Sequence, residues 1–402
     1  MLYGTLLFIQ FKPESIQYLS QALHLVWNVA RYCSFIIILI LFMSRWRYKK
    51  RTNNFISTVV LLLVFHLSIF IAAITTPSSN ALSCISEYTR VIAIVVLMEL
   101  YNIIGIKHTV DGFIYVDSIY LIINAITFIL YPNGLYINRF GYHSNYFIGA
   151  KNLVIVYIFP LLLCLIIKKH YVVKNIKNII SFWLLVSLCW FSALSVWSGA
   201  SLVICGLLTF WPFLYKFFFK HKRVFNARSY LFITIVLFAI IVMYRNFGMF
   251  SWVIQNLLKK DLTLSGRSGI WDAIVVAIAR KPLFGYGNLE GTSIVTITND
   301  RYGVNAHNMY LWCLFRGGIF NLASLLILLG LTIKGLSNKL QTYVVSYLSW
   351  ALFCLMIYWL VEALSIIFMI PIIYFSISCD RFDVQIVNKK RTKQRAFVAK
   401  TE

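Results

Sequence analysis

Apolar runs of about 20 residues, long enough to cross roughly 30 Å of hydrocarbon as a helix, recur from end to end of the 402-residue chain. Window by window they predict helices at 1–12, 23–44, 55–75, 90–107, 113–131, 150–167, 179–197, 201–217, 229–246, 307–333, 342–361 and 363–378. The first run, Met1–Phe11, is short for a span. It also lacks the cationic region and cleavage site of a removable signal peptide. The widest gap, 247–306, has another pattern. From Ser268 to Lys281, residues Ile270, Ile274, Ala277 and Ile278 recur at helical spacing with Trp271 beside them, which predicts an amphipathic helix of about four turns. Ser265 or Ser268 is its expected N-cap. Pro282 and the glycines of Pro282-Leu-Phe-Gly-Tyr-Gly287 stop it. A helix this short lies at an interface or over a cavity and does not span. The expected fold is all-α: one polytopic membrane domain over 1–402, with about twelve transmembrane helices and one long loop, 247–306.

Composition excludes a soluble protein. The chain is 60% hydrophobic and 12% charged, against roughly 25% charged residues in soluble domains. The net charge of +24 raises nucleic acid as a partner, but the cations sit in short clusters between apolar runs, as orientation signals do. With both termini cytoplasmic, the inner segments hold 24 of the 37 Lys and Arg. The outer segments other than the long loop hold four: Lys12, Arg90, Arg139 and Lys151. This asymmetry predicts a multi-pass protein of the cytoplasmic membrane with no nucleic-acid role. The basic tail 379–402, including Lys389–Arg395, reads as a headgroup anchor. The eight cysteines are scattered and form no CxxC pair, so neither a disulfide framework nor a metal site is expected.

One region breaks the charge rule. Region 245–306 lies outside on this topology yet holds Arg245, Lys259, Lys260, Arg267, Arg280, Lys281 and Arg301; long loops cross regardless of charge. A second polar segment, Arg139–Asn152, sits at the mouth of the fifth and sixth predicted helices. Within 265–320 the order is Ser265-Gly-Arg267-x-x-x-Trp271, the amphipathic helix, the Gly-rich turn, His307-Asn308-x-Tyr310 opening an apolar run, and Arg316-Gly-Gly-Ile319. That order resembles the O-antigen ligase/polymerase superfamily, and most of all its Wzy-type polysaccharide polymerases. Gly149-Ala-Lys151-Asn152 also resembles Gram-positive capsule polymerases. The resemblance implies an inverting glycosyltransferase acting on glycans carried by undecaprenyl pyrophosphate, without metal or other cofactor. A flippase and a chain-length regulator of the same pathway, and membrane lipids, are its implied partners.

Arg267 and His307 match the family's arginine and histidine positions. His307 is thereby the expected general base, since a neutral imidazole suits the pH outside the cytoplasm. Arg267 is expected on the pyrophosphate, where a guanidinium gives paired donors. Asn308, beside His307, is expected on substrate. The ligase branch carries a second arginine near a mid-chain helix end, where this chain has Ser198-Gly-Ala-Ser201. A second phosphate contact then falls to Arg139, Lys151 or Arg301, and the departure favours the polymerase branch. Lys151 also fits a snorkelling helix-end lysine, and a lone His at a helix start is more often an interfacial polar residue. Arg316 and Glu99 fall inside apolar runs, where a charge costs roughly 2.5–3.5 kcal/mol unless it faces the bundle or a wet cavity. They either pair with each other or support the site. The rival readings are a ligase moving a finished glycan to another acceptor and a transporter of lipid-linked oligosaccharide. A transporter places ionisable groups near the midplane of several spans.

Overall fold

The computed structural model describes residues 2–45, 54–138, 143–172, 175–220, 226–244, 251, 255, 266–289, 291–299, 305–337 and 342–379. Arg139, Arg245, Lys259, Lys260, Ser265 and Arg301, and the basic tail after Cys379, lie outside the described residues. The chain is an all-α, multi-pass membrane protein. Its helices are α1 (Leu2–Gln10), α2 (Ser15–Leu19), α3 (Gln21–Arg45), α4 (Phe55–Thr75), α5 (Ala81–Ile104), α6 (Ile106–Leu130), α7 (Ile155–Tyr171), α8 (Ile176–Ser195), α9 (Gly199–Thr209), α10 (Trp211–Lys220), α11 (Ala227–Phe238), α12 (Arg267–Arg280), α13 (Thr292–Thr298), α14 (Met309–Ser337), α15 (Tyr343–Val361) and α16 (Ile370–Ile377). Eight of them, α3 to α8 with α14 and α15, are long and apolar enough to cross a membrane.

The remaining predicted spans are shorter because the backbone breaks. The run 201–217 is two helices, α9 and α10, which meet at Phe210. Pro212 opens α10 and cannot donate to a helix continuing from α9. The run 363–378 begins with a tight 3-10 turn at Ile366–Met369 before α16. Gly105 alone separates α5 from α6, so 108–112, the gap between the fourth and fifth predicted helices, is helical.

The first run is the most informative break. α1 stops at Gln10, inside the bundle, and Pro13 precedes the short α2. A helix that ends among apolar side chains leaves carbonyls without intrahelical partners. Here Trp27 Nε1 donates to Ile9 O (3.0 Å) and Tyr120 OH to Phe8 O (3.0 Å). The Gln10 amide donates to Ser34 Oγ (2.6 Å).

A second break organises the other side of the bundle. α14 packs most extensively on α4, pinned where the Asn321 amide donates to Phe65 O (2.6 Å). It kinks at Gly317 and Gly318. The kink frees the carbonyls of Phe315 and Arg316, and the backbone N–H groups of Tyr286 and Gly287 take them at 2.9 and 2.7 Å. Ile319 N–H returns a bond to Pro282 O (2.9 Å). The turn Pro282–Gly287 and the segment Arg316-Gly-Gly-Ile319 are therefore two halves of one contact. α12 packs over it through Ile270, Trp271, Ile274 and Ala277, in a second, smaller apolar core with Tyr286, Leu311 and Phe315. The described α12 begins at Arg267, with Gly266 as its N-cap and no side-chain cap; Ser268 lies within the helix.

Gly318 sits at φ +63°, and a Cβ there would come within 2.0 Å of Leu283 O. Gly318→Ala should therefore lower thermal stability in detergent by more than about 1 kcal/mol. Gly330→Ala, at a helical position with open space around it, should be neutral or stabilising by up to about 1 kcal/mol. Equal melting temperatures for the two variants would show that the kink is not held by this contact.

Candidate active site

Three residues far apart in sequence meet at one end of the bundle. α12 begins with Arg267, His307 lies two residues before α14, and Glu362 follows the last residue of α15. Glu362 Oε1 lies 2.8 Å from His307 Nδ1, and Arg267 donates to Glu362 Oε2 at 2.9 Å. Arg267 also donates to Val361 O. The carboxylate is buried, with 6% of its side chain exposed, whereas Arg267 and His307 retain 19% and 22%. The acid is thus the hidden partner, and the imidazole and the guanidinium keep exposed surface.

The local chain is built to hold this arrangement. Trp271, one turn into α12 and fully buried, donates its indole N–H to Ala306 O (2.8 Å). Asn305 Oδ1 accepts from His307 N–H (2.9 Å). Between them His307 adopts φ +44°, a left-handed conformation that few non-glycine residues take and that the surroundings must impose. Asn308 accepts from Leu311 N–H (3.0 Å), capping α14, and donates to Leu360 O (2.9 Å), which ties α14 to the end of α15.

The electrostatics follow from the packing. Burial pushes the Glu362 carboxyl up. The neighbouring charges and hydrogen bonds of His307, and then of Arg267, outweigh burial and hold it below the usual carboxylate range. An ionised carboxylate only accepts, so His307 Nδ1 is the donor. In the neutral imidazole the lone pair is then on Nε2, the arrangement a general base requires. Arg267 uses two of its N–H groups within the chain, which leaves other edges of the guanidinium for an anion.

Of the residues singled out from sequence, Arg267 and His307 come together. Asn308, expected on substrate, is fully buried and fastens α14 to the end of α15. Lys151 is exposed, at the start of a 3-10 turn. No hydrogen bond or ion pair joins it to Arg267, His307 or Glu362 among the described residues. Arg139 and Arg301 lie outside the described residues. At the place of the missing second arginine, Ser198 Oγ bonds Ser201 Oγ (2.8 Å). Arg316 does not pair with Glu99: it donates to Glu87 of α5 (2.9 Å), while Glu99 accepts from Tyr374 OH. Ser365 Oγ also donates to Glu87. Sequence reasoning missed Glu362, which falls in the single-residue gap between two predicted spans. The signal that marks it is a lone acid between two apolar runs.

Because the folded Glu362 value is lowered, its stabilisation is present above the ordinary glutamate value of about 4.3 and is lost as pH falls through the lower folded value. Wild type should melt above Glu362→Gln at pH 6, by roughly 1–3 kcal/mol, and the gap should shrink as pH falls below the ordinary glutamate value. A gap independent of pH would show that the carboxylate's charge does not hold the cluster.

Comparison with known proteins adds no family: no family model matches the chain, and no curated protein matches it.

Proposed function

We propose that this chain is a membrane glycosyltransferase that polymerises lipid-linked oligosaccharide repeat units by inverting transfer. The observation that carries the reading is the His307–Glu362–Arg267 cluster at one end of an apolar bundle, with the imidazole and the guanidinium keeping exposed surface. His307 Nε2 takes the proton of an acceptor hydroxyl while Glu362 holds the imidazole in the right tautomer and stabilises the imidazolium that forms. The hydroxyl oxygen bonds the anomeric carbon of the donor glycan from the face opposite its pyrophosphate. The bond from that carbon to the phosphate oxygen breaks, and polyprenyl pyrophosphate leaves with the electron pair. Arg267 meets the developing negative charge through the N–H groups not used by Glu362 and Val361. The charge asymmetry of the sequence supports placing this end on the outer face of the cytoplasmic membrane, where a flipped lipid-linked donor is presented. A capsular or O-antigen polysaccharide is the product class that the sequence resemblance supports.

A second reading is favoured by one observation. Glu87 and Arg316 pair within the spans, beside buried His66, and further cations sit in neighbouring helices, a pattern that suits transport of an anionic lipid. A transporter has no need of a base oriented by a carboxylate, so the enzyme reading is preferred.

His307→Ala should lower polymer formation from purified lipid-linked repeat by about 10²–10⁴-fold with protein level unchanged. Arg267→Lys, which keeps charge but loses the fork, should lower turnover by about 10²-fold. Undiminished glycan ladders from the His307 variant would remove it as the base. Proteoliposomes that move the lipid but never elongate it would replace the reaction with transport. The resident cations are expected to meet the pyrophosphate charge unaided, so excess EDTA should leave the rate nearly unchanged. Complete loss on chelation, restored by Mg²⁺, would overturn that division of labour.

A further inference from the structure

A second group of cations lies in the break between α1 and α2 and the helices around it. Arg31 of α3 is buried and donates through one terminal nitrogen to Ser86 of α5 (2.9 Å). Its Nε is also buried and bonds nothing among the described residues. Arg90 of α5 likewise buries its Nε without a partner. Lys12, in the break itself, pairs with His24 Nδ1 (3.2 Å), and the charges of Arg31 and Arg90 both bear on it. The carboxylate that acts on Arg90 is Glu87, and it is already bound by Arg316 and Ser365. Glu14 lays its side chain against Gly149.

The depth of the group is consistent from helix to helix. Arg31 lies ten residues into α3 and Arg90 nine into α5, about 15 and about 14 Å from the ends of those helices at 1.5 Å per residue. Cations gathered at that depth lose hydration and repel one another, and an anion relieves both costs. Arginine presents donors matched to phosphate oxygens. α3 itself borders hydrocarbon. Its other face, including Leu25, Val29, Ile36 and Ile40, is exposed apolar surface, so a ligand entering beside it lies along hydrocarbon.

We propose that Lys12, Arg31 and Arg90 form a binding site for a phosphate group carried on a lipid. Ser365 follows Glu362 by three residues and binds Glu87, which lies one turn from Arg90. This path of contacts connects the phosphate site with the segment that carries Glu362 and makes polyprenyl pyrophosphate the ligand of choice. That choice rests on the proposed reaction, whereas the site itself does not.

The test uses the full-length chain in nanodiscs, with undecaprenyl pyrophosphate and phosphatidylglycerol as alternative probes and undecaprenol as the phosphate-free control. Binding is read by native mass spectrometry. The double variant Arg31→Gln/Arg90→Gln should bind the pyrophosphate lipid at least tenfold more weakly, and Arg31→Lys/Arg90→Lys should recover part of the loss. With a merely structural role for the arginines, the Gln variant would melt lower; removal of unbalanced buried charge should instead leave its melting temperature equal or higher. Loss confined to phosphatidylglycerol supports the site with an ordinary headgroup as its ligand. Equal binding of both phospholipids by wild type and the Gln variant overturns the proposal. His307→Ala separates the two ideas: it should bind lipid like wild type even if it still elongates glycan, an outcome that sinks the reaction and spares the site. On the unaltered chain, either phosphate lipid, but not undecaprenol, should slow amine acylation of Lys12 at pH 9 at least fivefold. Equal labelling with all three also overturns the proposal.

Discussion

A peptide group without a hydrogen-bond partner costs several kcal/mol in hydrocarbon, and this bundle breaks its helices in several places. The break in α14 is the one on which the site depends. Kinking at Gly317 and Gly318 frees two carbonyls, and keeping the kink requires donors for them. The turn Pro282–Gly287 supplies them. Once that turn is docked, α12 must lie across the start of α14, since Tyr286 OH donates to Ala277 O and Trp271 reaches Ala306. Arg267 and His307 are brought to one place by backbone pairing some distance from either of them.

Much of this was legible in the sequence, and the reasons differ by element. The spans follow from apolar length alone. The buried face of α12 is Ile270, Trp271, Ile274 and Ala277, close to the set that helical spacing selects. The glycine motifs were visible as motifs, but not as partners, because a backbone-to-backbone contact leaves no side-chain signal. Breaks were hidden for a similar reason. A hydropathy window averages across Gln10, Phe210 and Gly317 and cannot register a change of backbone direction. Glu362 and Asn308 were obscured by the opposite problem: their roles are set by partners in other elements, and their own neighbourhood in sequence marks the residues without naming those partners.

The charges show a division between pairs that are closed and groups that are open. Glu87 is shared by Arg316 and Ser365, so its burial is compensated twice over. Glu362 is likewise held by two partners, yet those partners retain surface of their own. A buried acid whose two hydrogen-bonding partners are half-open can fix their orientation without consuming their function. Arg31 and Arg90 stand at the other extreme, with buried donors that the described chain does not meet.

The spacing of the cluster along the chain also bears on how the protein is made. Glu362 follows Arg267 by 95 residues and His307 by 55. A ribosome releasing this chain into the membrane therefore exposes the arginine and the histidine well before the acid that orients them. Until α15 has been threaded and its far end delivered to the same side as α12, Arg267 lacks both Glu362 and the Val361 carbonyl. The cluster is complete only once α15 is in place, so a stalled or mis-threaded α15 yields a bundle in which Arg267 and His307 lack their shared carboxylate.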